Sequence, residues 1–333
     1  MIANAVNGQG IVVGDYQNYC TPDCGGPPQA WMYQQSSGAL NELTYDPSEV
    51  SAGANGISNG GIIAGTAATQ QSGGPVPVYW TVTGGAVLLS GCTSCSAVAA
   101  NDSGTIVGQF ADSGSPGSAA LMWTPPGYAQ TTLPGLECDN CARTDIAVNA
   151  INDGGAAVGS SRSSIITNGQ TVSGGLFAVE WQSGTVTSLG SLQSSGTSAA
   201  YGINDSGDIV GSSVVGPASG APSHAFVYHD GTMSDLGTLS GDTNSSAASI
   251  NDAGQIVGSS DDGTATRAFV YANGQMYDLN SVIDPTDPLV GLVSLKDAVS
   301  INSNGWIAVN GTDSRDTGGN AGAQRAFLLI PSS

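Results

Sequence analysis

Short apolar runs alternate along this chain with small clusters of Asn, Asp, Ser and Gly, and no apolar stripe recurs at helical spacing. The stretch from Ala247 shows the pattern most plainly: "AASI", then Asn251-Asp252-Ala253-Gly254, then "QIVGSS", later "RAFVY", then "ANG" and "QMYDL". Four strands are predicted. Asn or Asp opens a tight turn through its side chain and Gly supplies the positive φ that follows, so the first two runs form a hairpin. The "ANG" turn folds the third run back onto the fourth.

The same arrangement recurs. Copies of the hairpin motif end at Gly14, Gly65, Gly108, Gly159, Gly211 and Gly258, and a degenerate seventh, "SINSNGWIAV", ends at Val309; their spacing is 43 to 52 residues. Each is followed by a third-strand element, from "AWMY" at Ala30 to "AFLL" at Ala326, and six of the seven by a fourth. The boundaries fall near 1–50, 51–95, 96–142, 143–196, 197–244, 245–294 and 295–333. A β-solenoid or a row of sandwiches would also repeat. Seven long copies of four strands fit best a single all-β domain, a seven-bladed β-propeller of antiparallel blades. One such sheet buries too little apolar surface to persist alone, so each copy supplies its neighbour's core.

The triplet His224-Ala225-Phe226, with "INDSGDIVG" before it and "MSDLGTL" after, resembles the extracellular HAF-repeat family. The likeness runs over the whole chain and is strongest from Ser198 to Leu279. It weakens where Trp, Val or Leu replaces Phe in copies 1 to 3, and in the ragged seventh. The resemblance implies secretion and a propeller-like repeat, and carries over no catalytic residue.

Charge narrows the partners. Six Lys and Arg stand against 26 Asp and Glu, a formal charge of −20. Such a surface repels phosphate backbones, so nucleic acid is not an expected partner. No apolar run nears the roughly eighteen residues of a membrane helix. No basic-then-apolar leader is visible in "MIANAVNGQG", which leaves a cytosolic protein or a chain processed upstream. The six cysteines favour the second, since they fall in local pairs: Cys20/Cys24, Cys92/Cys95 and Cys138/Cys141. Local disulfides in an oxidising compartment are expected; zinc or redox chemistry is the alternative. A c-type haem is excluded, because Ser96 and Ala142 follow where His is needed.

Few residues suggest catalysis. His224 and His229 are the two histidines, and Glu42, Glu49, Glu137 and Glu180 the four glutamates. "GISNG" at Gly56 matches a nucleophile elbow, but it lies in register with the hairpin turns and no helix follows it. No enzyme activity and no cofactor is expected. Ca²⁺ is the metal the Asn-Asp-x-Gly turns suggest, although the turn chemistry explains those residues without it. Tyr33, Trp80, Trp123, Trp181, Tyr228 and Tyr271 recur at the end of the third strand and are expected to fill the gaps between blades. Trp31 and Trp306 break that series and stand as candidates for exposed contacts.

The seventh copy stops at "AFLLIPSS", without a fourth strand, and Met1-Ile2 is too short to complete it. Arg325, Ala326, Phe327, Leu328, Leu329 and Ile330 are thereby expected to present an open edge, flanked by Arg325 and Pro331 as blocking devices. Such an edge invites pairing with another copy, giving a homo-oligomer or polymer. The sequence reading is a secreted structural or adhesive propeller that assembles into a fibre or matrix. The alternative is an extracellular glycan-binding propeller using its loops, the longest at residues 160–175; a glycoside hydrolase or lyase ranks third.

Overall fold

The computed structural model describes residues 1–333 except 17–27, 47, 71, 73, 112–117, 137–144, 168–169, 194–195, 219, 319–320 and 333, and not the side chains of 111, 164–167 and 170–173. Among the described residues, seven antiparallel sheets follow one another along the chain, six of four strands and a last of three. Blade 6 is typical: Asn244–Ile250, Ile256–Asp261, Thr266–Ala272 and Gln275–Asp278. Blade 7 has Val293–Ile301, Ile307–Asp313 and Gln324–Leu329. First strands of neighbouring blades touch all the way round, blade 7 against blade 1 included, so the sheets close a ring with their first strands innermost.

The core lies between blades. Buried apolar side chains among the described residues form seven clusters, one at each junction. Val210, Ala225 and Leu239 of blade 5 meet Ile256 and Phe269 of blade 6; Ala308 of blade 7 meets Ala3, Val6, Val12 and Trp31 of blade 1. Each sheet shields apolar side chains on both faces, which is why alternation along the strands is blurred.

The turn residues behave as their chemistry requires. Gly254 sits at φ 74°, and the second hairpin of blade 6 places Asn273 and Gly274 at φ 54° and 77°, both left-handed. The glycine closing each motif has another cause. A Cβ on Gly258 would collide with the Ser246 carbonyl, and the Phe269 ring lies over it. In the seventh copy this role falls to Gly311, facing Ser294, and not to Val309. Two bulges between the first and second strands of blade 7 shift the register and lengthen that copy.

The aromatic residues divide differently from the expected series. Trp80, Trp123 and Trp181 are fully buried between blades, whereas in blades 5 and 6 the fully buried ring is Phe226 or Phe269, two residues earlier on the same face. Tyr33, Tyr228 and Tyr271 are half-buried beside them. Trp31 is 3% exposed and fills the junction of blades 7 and 1, so it is no surface contact. Trp306 is half-buried and lies over Gly10 of blade 1.

Candidate functional site

Two places gather polar groups that the repeat alone does not explain: the mouth of the central channel, and the outer edge of blade 7.

At the mouth, the Asn-x-x-Gly turns do more than reverse the chain. Asn251 Oδ1 accepts from Gln255 N at 3.0 Å, closing its own turn, while its Nδ2 donates at 3.0 Å to the Asn302 carbonyl of the next blade. Asn101, Asn152 and Asn204 donate in the same way to Asn152, Asn204 and Asn251. Asn302 reaches Asn7 at 2.8 Å across the junction where the ring closes, and Asn7 reaches Ser58. Every bond runs in one direction round the axis. A second belt runs beside it: the Asp102, Asp153 and Asp205 amides donate to the Asp153, Asp205 and Asp252 carboxylates at 2.7, 2.8 and 3.0 Å. Aligned bonds of this kind polarise one another.

Four carboxylates therefore face a cavity of about 200 Å³. Partial burial, then Asp102 and Asp205 on either side, raises the Asp153 carboxyl above its ordinary pKa. Among the described residues no three His, Cys, Asp or Glu side chains group as metal ligands would.

Ser58, within "GISNG", is where the Asn belt breaks. Its Oγ caps its own turn by accepting from Ile62 N at 3.2 Å, but a hydroxymethyl cannot span to Asn101. Ser58→Asn is expected to keep the cap and add the missing link, raising stability by about 1 kcal/mol. A thermal midpoint unchanged or lowered in calorimetry would contradict this assignment of the belt.

Among the described residues blade 7 has three strands, and its outermost strand is an edge. Leu328 and Ile330 occupy the positions at which, in blade 6, Val270 and Ala272 pair with the fourth strand. Among the described residues no strand takes up their outward N–H and C=O groups. Phe327 and Leu329 pack toward blade 6, Ala326 and Leu328 toward blade 1, so both faces are covered and only the edge is bare. Arg325 is held by Asp316 at 2.8 and 2.9 Å. Near the strand's start, the Met1 amine donates to the Gln324 carbonyl at 3.3 Å. Ile330 is 47% exposed, and Pro331 turns back toward Gly305.

Other expected residues lie elsewhere. Cys92 and Cys95 form a disulfide with Cα atoms 6.0 Å apart; Cys20, Cys24, Cys138 and Cys141 lie outside the described residues. His224 binds Asp235 at 2.9 Å, pinning the third strand of blade 5 to its fourth, and His229 binds Asp208 at 2.5 Å. The longest loop is in fact a hairpin, Ala157–Thr167 paired with Gln170–Gln182. Two features were beyond sequence reasoning: the amide of each turn Asn reaching the next blade, and the covered faces of the open strand.

Comparison with known proteins agrees on the fold. A family model described as "Protein of unknown function (DUF3466)" matches residues 197–320, which hold the two most regular copies and most of the seventh. No match is found among curated proteins. Among solved structures, the chain is similar to the β-propeller domain of the Trilobed protease from Pyrococcus furiosus, whose description reports an open velcro topology. There it shows 10% identity and a TM-score of 0.62, covering 98% of this chain and 93% of that one. An acylaminoacyl peptidase from Pyrococcus horikoshii gives 10% identity and a TM-score of 0.61, over 98% of this chain and 51% of the peptidase. The chain thus spans nearly all of one relative and about half of the other, and at these identities the likeness is one of fold. No helix among the described residues is long and apolar enough to cross a membrane.

Proposed function

We propose that this chain is a secreted, non-catalytic structural or adhesive propeller whose working surface is the uncovered edge of blade 7. Through it the protein joins other extracellular polypeptides, and self-assembly into a fibre or matrix is the case in which the incoming strand belongs to a neighbouring protomer. One observation carries the reading: the outermost strand of blade 7 packs on both faces, and among the described residues its hydrogen-bonding edge is bare. A bare edge takes up extended chain through its backbone, and flanking side chains decide which chain. The Cys92–Cys95 disulfide and the resemblance of the HAF triplet support an oxidising, extracellular setting. The mouth carboxylates are spent on neighbouring backbone amides and both histidines on carboxylates, which supports a non-catalytic role.

Leu328→Pro tests the reading. Proline removes an outward N–H and leaves the inner ladder to Ile307–Asp313 in place. Electron microscopy and sedimentation of native material are expected to show assemblies or bound polypeptide in the parent and their loss in the variant, with circular dichroism unchanged. Equal association by a folded variant would refute it.

A further inference from the structure

The six completed blades show what a fourth strand does, and blade 7 retains the groups that would receive one. In blades 1, 2 and 3 a buried leucine closes the fourth strand or directly follows it: Leu43, Leu89 and Leu133 are 7%, 1% and 7% exposed. The carbonyl just after that leucine accepts the indole N–H of the next blade. Trp80 Nε1 donates to Thr44 at 3.0 Å, Trp123 Nε1 to Ser90 at 3.1 Å and Trp181 Nε1 to Pro134 at 2.6 Å. Trp31 is the indole of the junction between blades 7 and 1. It is 3% exposed, and its Nε1 is buried without a hydrogen-bond partner among the described residues. A buried indole N–H without an acceptor is costly and uncommon in a native protein. The blade in the place to supply its acceptor is the one with three strands among the described residues.

A second group is also left over. In blade 5 His224, just before Ala-Phe, pairs with Asp235 of the fourth strand; in blade 6 Arg267 at the same place pairs with Asp278 at 3.1 Å. Arg325 holds that position in blade 7. Among the described residues it meets no fourth-strand acid and pairs with Asp316 in the preceding loop, its side chain 42% exposed. In blade 1 the acid and the leucine are adjacent, as Glu42-Leu43-Thr44.

We infer that the blade 7 edge is a docking site for an extended segment of another polypeptide carrying the pattern apolar-x-Asp/Glu-Leu-x. The acid faces Arg325, the leucine enters the junction with blade 1, and the carbonyl after the leucine receives Trp31 Nε1–H. The edge supplies backbone pairing through Ala326, Leu328 and Ile330 as in other strand additions. This rests on the edge reading above and adds to it a sequence rule. Among the described residues the fourth strands of blades 1 to 6 are engaged in their own sheets, so a neighbouring protomer meets the rule only by releasing one of them.

The test uses the intact protein with ¹⁵N-labelled tryptophan and a synthetic peptide having the sequence of residues 38–46. The chain has five tryptophans, and the signal absent in Trp31→Phe identifies the indole in question. On titration, the Trp31 N–H resonance is expected to move downfield and gain protection from exchange, while the other four stay put. Trp31→Phe, which keeps an aromatic filler, is expected to weaken binding about fivefold. Changing the peptide's glutamate to glutamine should cost about two- to fivefold against the parent and nothing against Arg325→Ala. Changing its leucine to lysine should abolish binding, with the protein untouched. A scrambled peptide binding equally well, or no saturable Trp31 shift, overturns the inference. So does a Trp31 N–H already protected in a free protein that sediments as a dimer. Failure here with association still lost in Leu328→Pro removes the sequence rule and leaves the edge reading; peptide binding with association indifferent to Leu328→Pro does the reverse.

Discussion

Asn310→Ala is expected to lower the stability of the folded ring by about 3 kcal/mol and its apparent thermal midpoint by roughly 5–10 °C. Asn310 lies in blade 7, 6% exposed, and grips a single residue of blade 1 from both sides. Ala3 N donates to its Oδ1 at 2.8 Å, and its Nδ2 donates to Ala3 O at 2.9 Å. One side-chain amide thus stands in for a strand neighbour. The described residues close the ring with no strand exchanged between first and last blades, so the junction depends on such side chains, with Asn302, Asn304 and Ser300 beside it. The other six junctions are also tied by a covalent linker. This one brings together residues 307 apart, and the entropy of closing that loop must be met by the junction itself. Alanine leaves both polar groups of a fully buried Ala3 unpaired, which costs more than the bonds contribute when made. Asn149→Ala is the comparison. It removes one bond, to Ala200 at 2.7 Å, across a linked junction, and is expected to cost about 1 kcal/mol. Equal losses in the two variants, read by chemical denaturation, would show that the unlinked junction is not the weak one.

The repeat made the architecture legible, because period, turn chemistry and strand length are local properties. "NDAG" reads directly as a turn, since Asn caps it and Gly254 takes the positive φ. Where each copy points could not be read. That Asn251's second amide group crosses to Asn302 depends on how closely neighbouring blades approach at the axis, which no local pattern encodes. The glycine ending each motif was visible as a repeated letter, but its cause, a strand-1 carbonyl where a Cβ would stand, is tertiary. Trp31 was misjudged for the same reason. It departs from the recurring aromatic position by two residues, and two residues along a strand return to the same face, so it stays inside. The open edge was legible as a missing "QMYDL"; the unmatched Trp31 and Arg325 that give it a preference were not. They acquire meaning only when the completed blades are laid over the incomplete one.

The shift of the aromatic by two residues also yields a quantitative expectation. Trp181 is 1% exposed at the junction of blades 3 and 4, with Val179 two residues before it in the same cluster. In blade 5 the order is reversed: Phe226 is fully buried and Tyr228 half-buried. At these two junctions one large ring is therefore fully buried, and either position can carry it. Trp181→Ala removes that ring and is expected to cost about 4 kcal/mol, part lost transfer energy and part residual cavity. Val179→Phe alone places two rings where one fits, at about 1–3 kcal/mol. The double variant Val179→Phe/Trp181→Tyr rewrites blade 4 in the pattern of blade 5 and is expected to come within about 1.5 kcal/mol of the parent. The Pro134 carbonyl, released from Trp181 Nε1, belongs to an exposed residue and returns to water at little cost. The two changes should thus be strongly non-additive, each compensating the other's volume. Denaturant midpoints of the parent, Val179→Phe, Trp181→Tyr and the double variant settle the matter. If the double variant is no more stable than Val179→Phe, the two positions are not interchangeable, and the buried ring is fixed by its own blade rather than by the space its neighbour leaves.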